Sequence, residues 1–192
     1  MMIKRYFLLP LFLIGLFTAN GQTKFEREYR LPLEAVPLSA RQYIDTFVFS
    51  SKVKWFYEEN LLGNSIEAKV KDNRKRYSIE FDTLGNLQDI EIQTKWNQLS
   101  VEVRTQIEQE LTQKFTKHKI DKIQLQYTGN RDVLFAVIRN RTTTHSYTTK
   151  YELVVNAKAK GERKLYEITF NNEGDLEQVS EIIFKNTDNL EY

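Results

Sequence analysis

Residues 77–92 read YSIEFDTLGNLQDIEI, and residues 166–179 repeat the pattern as YEITFNNEGDLEQV. In each stretch apolar side chains first alternate with polar ones, which is the period of a strand with one apolar face. The Asp or Asn and the Gly that follow are typical of a turn, because Asp and Asn bond to the local backbone and Gly tolerates positive φ. Both stretches therefore predict β-hairpins.

The two predicted hairpins match position by position. Asp82 in the first corresponds to Asn171 in the second, and each is followed by a Gly three residues later. Because Asp and Asn both form such turns, we interpret Asp82 as a turn residue and not as a general base. The alternation breaks just before Ile90 and again just before Val179, which predicts a bulge or strong twist at the same place in both copies.

An amphipathic helix is predicted ahead of each set of strands. Pro37 suits the start of the first helix, and Ser100 is a good N-cap for the second. Each unit thus consists of a helix and about four antiparallel strands. The predicted fold class is α+β, with two tandem helix-plus-antiparallel-sheet repeats sharing a curved sheet. The apolar residues at helical spacing are Val36, Ala40, Tyr43, Ile44 and Phe47 in the first helix and Leu99, Val103, Ile107, Leu111 and Phe115 in the second.

The second unit is the longer one, since the helices are offset by 63 positions but the hairpins by 89. Its insertion contains DVLFAVI at 132–138, which is apolar on both faces and is predicted as an extra strand. A loop is predicted at 139–149. The predicted units are a signal peptide at 1–21, an N-terminal segment at 22–33, repeat one at 34–97, repeat two at 98–184 and a tail at 185–192.

The first 21 residues are typical of a secretory signal peptide. Lys4 and Arg5 precede an apolar run over 6–17, which at about 12 residues is shorter than the roughly 20 that a membrane-spanning helix needs. Small residues at the −3 and −1 positions predict cleavage before Gln22. An uncleaved N-terminal anchor is the alternative. The protein is expected in the periplasm or outside the cell, and it has no Cys that could carry a lipid.

Charge and composition restrict the classes of function. Removal of the signal peptide would leave 26 basic side chains against 26 acidic ones, which argues against nucleic acid or an anionic membrane as the partner. His118 and His145 have no ligand-like spacing, and we interpret both as solvated loop residues. No catalytic residue, metal ligand or cofactor motif is recognised, so the sequence predicts a protein that is not an enzyme.

Three apolar residues lie on the unexpected side of their strands. Phe56 is adjacent to Trp55, whose face should meet the first helix, so Phe56 points the other way. Val154 and Leu165 likewise point away from the apolar faces of their strands. Because exposed apolar surface tends to mark interaction, these three residues form a candidate binding patch on an open sheet face. The alternatives are cover by the N-terminal segment, by the loop of the insertion or by a second copy of the chain.

Two basic loops occupy equivalent places in the predicted units. Arg74, Lys75 and Arg76 lie in the first, and Arg163 and Lys164 lie in the second. They could steer an acidic partner toward the protein, or they could be ordinary solvated hairpin loops.

The motif Tyr-x-Ile-x-Phe-Asp-x-x-Gly-x-Leu, with Asn in place of Asp in its second copy, follows a helix and strands behind a signal peptide. This arrangement resembles the PepSY-like family of exported proteins, also described as beta-lactamase-inhibitor-like. The resemblance covers about residues 34–184 and implies tandem α/β repeats on one curved antiparallel sheet. Relatives include modules that restrain peptidases, and the namesake inhibitor binds an enzyme on its concave sheet face. The long insertion departs from the family pattern.

The sequence therefore predicts an exported, non-catalytic binding module. Its expected partner is a protein or peptide of the cell envelope, and inhibition or modulation of an envelope enzyme is one form that such binding could take. The alternative is a carrier of a small apolar ligand, which would require a closed apolar pocket between sheet and helices.

Overall fold

The computed structural model describes residues 22–60, 63–159 and 161–184. The described part of the chain contains nine strands and three α-helices, with short 3-10 turns at Leu33–Ala35 and Trp96–Gln98. In chain order the elements are β1 (Gln22–Arg30), α1 (Leu38–Asp45), β2 (Lys54–Asn60), β3 (Gly63–Asp72), β4 (Lys75–Asp82), β5 (Leu87–Gln93), α2 (Val101–Lys114), β6 (Lys117–Thr128), α3 (Arg131–Ile138), β7 (Thr148–Ala159), β8 (Glu162–Phe170) and β9 (Leu176–Phe184).

The strands form one sheet that closes on itself. Each strand pairs antiparallel with its neighbour in the chain. The first strand also pairs in parallel with the last, from Gln22 beside Ser180 to Glu26 beside Phe184. The predicted α+β class is therefore confirmed, and the N-terminal segment supplies the strand that closes the sheet.

Both predicted hairpins are present, as β4–β5 and β8–β9. The pairing register shifts after Glu80 in the first hairpin and after Thr169 in the second. These shifts confirm the predicted irregularity, because an extra residue on one strand breaks the alternation of side chains at that point.

The hairpin turns are held by the side chains that the sequence singled out. Asp82 Oδ1 accepts hydrogen bonds from the backbone N–H groups of Leu84 at 2.9 Å and Asn86 at 2.8 Å. Asn171 Oδ1 accepts the equivalent pair from Glu173 at 3.0 Å and Asp175 at 2.8 Å. The interpretation of Asp82 as a turn residue is confirmed.

The apolar core lies on the outer face of the sheet, beneath the helices. All ten apolar residues predicted to face inward from the first two helices are buried. Those at α1 pack against β2 to β5, and those at α2 pack against β6 to β9. Ser100 caps α2 as predicted, with its hydroxyl accepting a hydrogen bond from Val103 N at 3.2 Å. Helical spacing therefore identified the buried faces correctly.

The predicted extra strand at 132–138 is wrong, because this segment forms α3. Asn130 caps the helix by accepting a hydrogen bond from Asp132 N at 3.0 Å, and Leu134 is completely buried in the core beside α1. Tyr43 on α1 donates a hydrogen bond to Arg131 O at 2.9 Å. A short, almost wholly apolar run fits a buried helix as well as a buried strand, and the space beside α1 selects the helix.

The predicted signal peptide at 1–21 and tail at 185–192 lie outside the described residues. No helix in the described part of the chain has the length and apolar character needed to cross a membrane.

Candidate functional site

The inner face of the sheet surrounds a cavity of about 720 Å³. All nine strands contribute side chains to its lining. The lining includes Asn60 and Gly63 at the β2–β3 turn, so the cavity reaches that end of the sheet. Because the helices cover the outer face, the cavity is separate from the apolar core.

The cavity lining is strongly acidic. Among the described residues that line it, eight carry carboxylates and two, Lys69 and Lys122, carry ammonium groups. Crowding of like charges in a partly desolvated space disfavours full ionisation of all the carboxylates. The carboxylate residues are Glu28, Glu58, Glu67, Glu80, Asp89, Glu91, Glu152 and Glu167.

Three of these carboxylates converge around Lys69. Oxygens of Glu28, Glu58 and Glu67 lie within 4.8 Å of one another. Lys69 Nζ is 2.5 Å from Glu28 Oε2 and 2.9 Å from Glu67 Oε2. Burial opposes the charge on Lys69, but the two carboxylates outweigh it and raise the pKa of the ammonium group. Such an oxygen cluster can hold a metal ion, but here Lys69 already supplies a positive charge.

Within this cluster, the pKa values of Glu58 and Glu67 shift in opposite directions. Burial, followed by the charges of Glu67 and Glu80, raises the pKa of Glu58 to about 9. Burial also acts on Glu67, but Lys69 and a hydrogen bond with Ser78 outweigh it and lower the pKa of Glu67. At neutral pH the pair therefore holds one proton, on Glu58.

A second acidic group lies on β5 and faces β6. Gln124 donates a hydrogen bond to Glu91 Oε2, and Gln126 donates one to Asp89 Oδ2 at 3.2 Å. Burial and the charge of Asp89 raise the pKa of Glu91 well above its ordinary value. The cavity thus contains two carboxyl groups with raised pKa values, those of Glu58 and Glu91, and a positive charge nearby would favour their ionised forms.

Ser65 shows that the lining has unused hydrogen-bonding capacity. It lies opposite Glu58 in the β2–β3 pair and is only 2% exposed. Ser65 lines the cavity, but its Oγ is itself buried and has no hydrogen-bond partner among the described residues. A buried hydroxyl without a partner is unfavourable.

The candidate patch residues are on this inner face, but the face is neither open nor apolar. Val154 lines the cavity between acidic side chains. Phe56 is half-buried between Arg30, at 5.1 Å from its ring centre, and Lys69, at 4.9 Å. Leu165 faces Asn156 across β7 and β8. The orientation assigned to Phe56 is correct, whereas the predicted open apolar face is wrong because the sheet curls around its polar side.

The two basic loops lie at the same end of the closed sheet, at the β3–β4 and β7–β8 turns. Arg74, Lys75 and Arg76 are exposed. Lys164 Nζ is 2.9 Å from Glu181 Oε1, and Arg163 donates a hydrogen bond to Asn156 at 3.0 Å. The second loop is therefore partly neutralised by its own chain, and a role for either loop in steering stays a prediction.

The two histidines lie apart in the described structure. His145 is exposed in the loop of the insertion, as predicted. His118 is not a loop residue, because it lies on β6 with its Nε2 3.3 Å from Glu108 on α2.

In the sequence, each of the cavity carboxylates is an ordinary polar strand residue. Only closure of the sheet brings these carboxylates together.

Comparisons with known proteins find little. No model of a known protein family matches the sequence, and no curated protein matches it. A solved structure of a DUF2874 family protein from Bacteroides ovatus is similar to 76% of this chain over 87% of its own, with 9% identity and a TM-score of 0.49. One of the "putative periplasmic proteins" of Bacteroides eggerthii is similar to 76% of this chain over 88% of its own, with 8% identity and a TM-score of 0.48. Neither likeness bears on what the cavity binds.

Proposed function

We propose that this chain is an exported, non-catalytic binding module whose inner cavity takes a cationic ligand, such as a basic segment of an envelope protein or peptide. The observation that carries the proposal is the cavity of about 720 Å³ in which eight carboxylates face two ammonium groups. A volume of this size fits a small ligand or a few side chains. Modulation of an envelope enzyme, which the family resemblance implies, is one outcome of such binding.

Electrostatics explains why a cation would be bound. The pKa of Glu58 is raised to about 9, so Glu58 holds a proton at neutral pH, and the pKa of Glu91 is raised in the same direction. An entering cation favours the ionised forms, so binding releases protons and strengthens as the pH rises.

The test is calorimetric titration of residues 22–192 with a tri-lysine peptide at pH 6.5 and pH 8, in buffers that differ in heat of ionisation. We expect tighter binding at pH 8 together with proton release. Spermidine separates a need for positive charge from a need for a peptide backbone. Glu58→Gln should reduce the number of protons released, whereas Glu102→Gln, at an exposed position on α2, should not. Equal binding of tri-glutamate, or no binding of tri-lysine at either pH, would refute the proposal.

The proposal includes the predicted two tandem repeats on one curved sheet. It is supported by the chain order, since α1 and α2 are each followed by four strands. The two hairpins also share their bulge and their Asp or Asn turn. The alternative function, a carrier of a small apolar ligand, stays a prediction for the space between sheet and helices.

A further inference from the structure

A second concave site lies outside the closed sheet, in a groove beside α1. It is bounded by the segment after β1, by α1 and by the start of β2, and its volume is about 800 Å³. Its floor is buried, with Ile44 4% and Trp55 6% exposed, but Leu33 and Leu38 on its rim are 52% and 60% exposed. The apolar lining consists of Leu31, Leu33, Leu38, Ile44, Val53 and Trp55.

The groove is cationic, in contrast to the inner cavity. Arg41 and Lys52 line it together with one carboxylate, that of Asp45, whereas the guanidinium of Arg30 lies over Phe56 on the inner face. Arg41 Nε is buried and has no hydrogen-bond partner among the described residues. Guanidinium groups bind carboxylates strongly because their paired N–H groups match the two oxygens. The groove therefore combines an apolar surface with donors suited to an anion.

The protein contains an internal comparison for this groove. A concave surface of about 540 Å³ lies in the corresponding position beside α2, between the segment after β5 and the start of β6. Its lining is mainly polar and includes three lysines, Lys95, Lys119 and Lys122, beside Glu108, His118 and Asp121. An apolar lining is therefore not a requirement of the helix-on-sheet packing. Arg104 on α2 shares the unpartnered Nε, so the apolar rim is what distinguishes the groove at α1.

From these observations we infer that the groove beside α1 binds an amphiphilic anion, meaning an unbranched alkyl chain that ends in a carboxylate. The chain would cover Leu33 and Leu38, whose exposed surface favours removal from water. The carboxylate would pair with Arg41, with Lys52 adding to the positive potential. This inference does not rest on the proposed function, because the groove and the cavity are separate and of opposite charge.

The two tryptophans provide the test, because Trp55 lines this groove and Trp96 lines the surface beside α2. In a Trp96→Phe background, dodecanoate below its micellar concentration should change the emission of Trp55 saturably. Dodecyl phosphate shows whether another anionic end is accepted, and acetate shows whether the chain is needed. Dodecylammonium should bind at least about tenfold more weakly, since it loses the charge-assisted hydrogen bonds and meets like charges.

Matched variants at α1 and α2 separate the site from general hydrophobic binding. Leu38→Ser and Arg41→Gln should each weaken dodecanoate binding, the latter about tenfold. Val101→Ser, at an equally exposed first helical residue, and Arg104→Gln should leave it unchanged. The inference is overturned if dodecylammonium binds equally, if the α2 variants weaken binding as much, or if Trp55 emission does not change. Leu38 is exposed, so its variant should fold even if Arg41→Gln is unstable.

Discussion

Replacing Glu58 by Gln is expected to stabilise the protein at neutral pH, and to do so more strongly as the pH rises. Glu58 lies on the inner face of β2, next to the carboxylates of Glu28 and Glu67. Burial and the neighbouring charges raise its pKa from 4.5 to about 9. The folded protein therefore keeps a proton on Glu58 that the unfolded chain gives up, whereas Gln is neutral in both states.

The size of the effect follows from proton linkage. A group whose pKa is raised by folding contributes its full stability below its unfolded pKa, and that contribution is lost as the pH rises toward its folded pKa. The window for Glu58 thus runs from about pH 4.5 to about pH 9. At about 1.4 kcal/mol per pH unit, the 2.5 units between pH 4.5 and pH 7 set a limit of about 3.5 kcal/mol. Relaxation of the neighbouring carboxylates reduces this, so we expect a gain of about 1–3 kcal/mol, or about 3–10 °C in melting temperature.

The assay is urea unfolding of wild type and Glu58→Gln between pH 4.5 and pH 9. The difference in the free energy of unfolding should be small at pH 4.5 and should grow steadily toward pH 9. Glu59→Gln, at the next residue of the same strand, controls for loss of one negative charge from β2. A difference that does not change with pH, or a Glu58→Gln variant less stable than wild type at pH 8, would show that Glu58 is ionised in the folded cavity.

Three further predictions concern the turns and the inner face. Gly85→Ala should lower the free energy of unfolding by about 2–4 kcal/mol, of which about 1–2 kcal/mol is left-handed backbone strain. The rest is a steric clash, because at φ +85° a Cβ would lie 2.8 Å from a side-chain carbon at the start of α1. Gly161→Ala, at φ +91° with no atom within 4 Å, should show the strain alone, and equal losses in thermal unfolding would contradict the contact argument. Asp82→Ala should lower the free energy of unfolding by about 1–2 kcal/mol, because its turn hydrogen bonds are lost. Asp82→Asn should be nearly neutral, because the second hairpin already has Asn at this place. A large loss of stability for Asp82→Asn in urea unfolding would assign Asp82 another role. Phe56→Ser should lower the free energy of unfolding by about 1–2 kcal/mol, since the ring is half-buried and its contacts with two cations are lost. Phe81→Ala, at a completely buried position, should lower it by about 3–5 kcal/mol. Similar losses for the two variants would place Phe56 in the core.

The sequence determined the local structure because the signals for it are local. Alternation and turn residues identified both hairpins, and helical spacing identified the buried faces of α1 and α2. The shared break before Ile90 and Val179 even located the bulges. The segment that forms α3 could not be assigned in this way, because a short apolar run fits a buried strand as well as a buried helix. The residues of α1 against which it packs are about 90 positions away in the chain.

The tertiary structure decided where the polar face of the sheet lies and what it contains. Alternation shows that a strand has a polar side, but it does not show whether that side meets solvent or curls inward. Closure depends on the parallel pairing of β1 with β9, at opposite ends of the chain. That pairing gathers carboxylates from separate strands into one cavity, where mutual repulsion and burial shift the pKa values of Glu58 and Glu91. The candidate site is therefore a property of long-range contacts, which no short stretch of the sequence encodes.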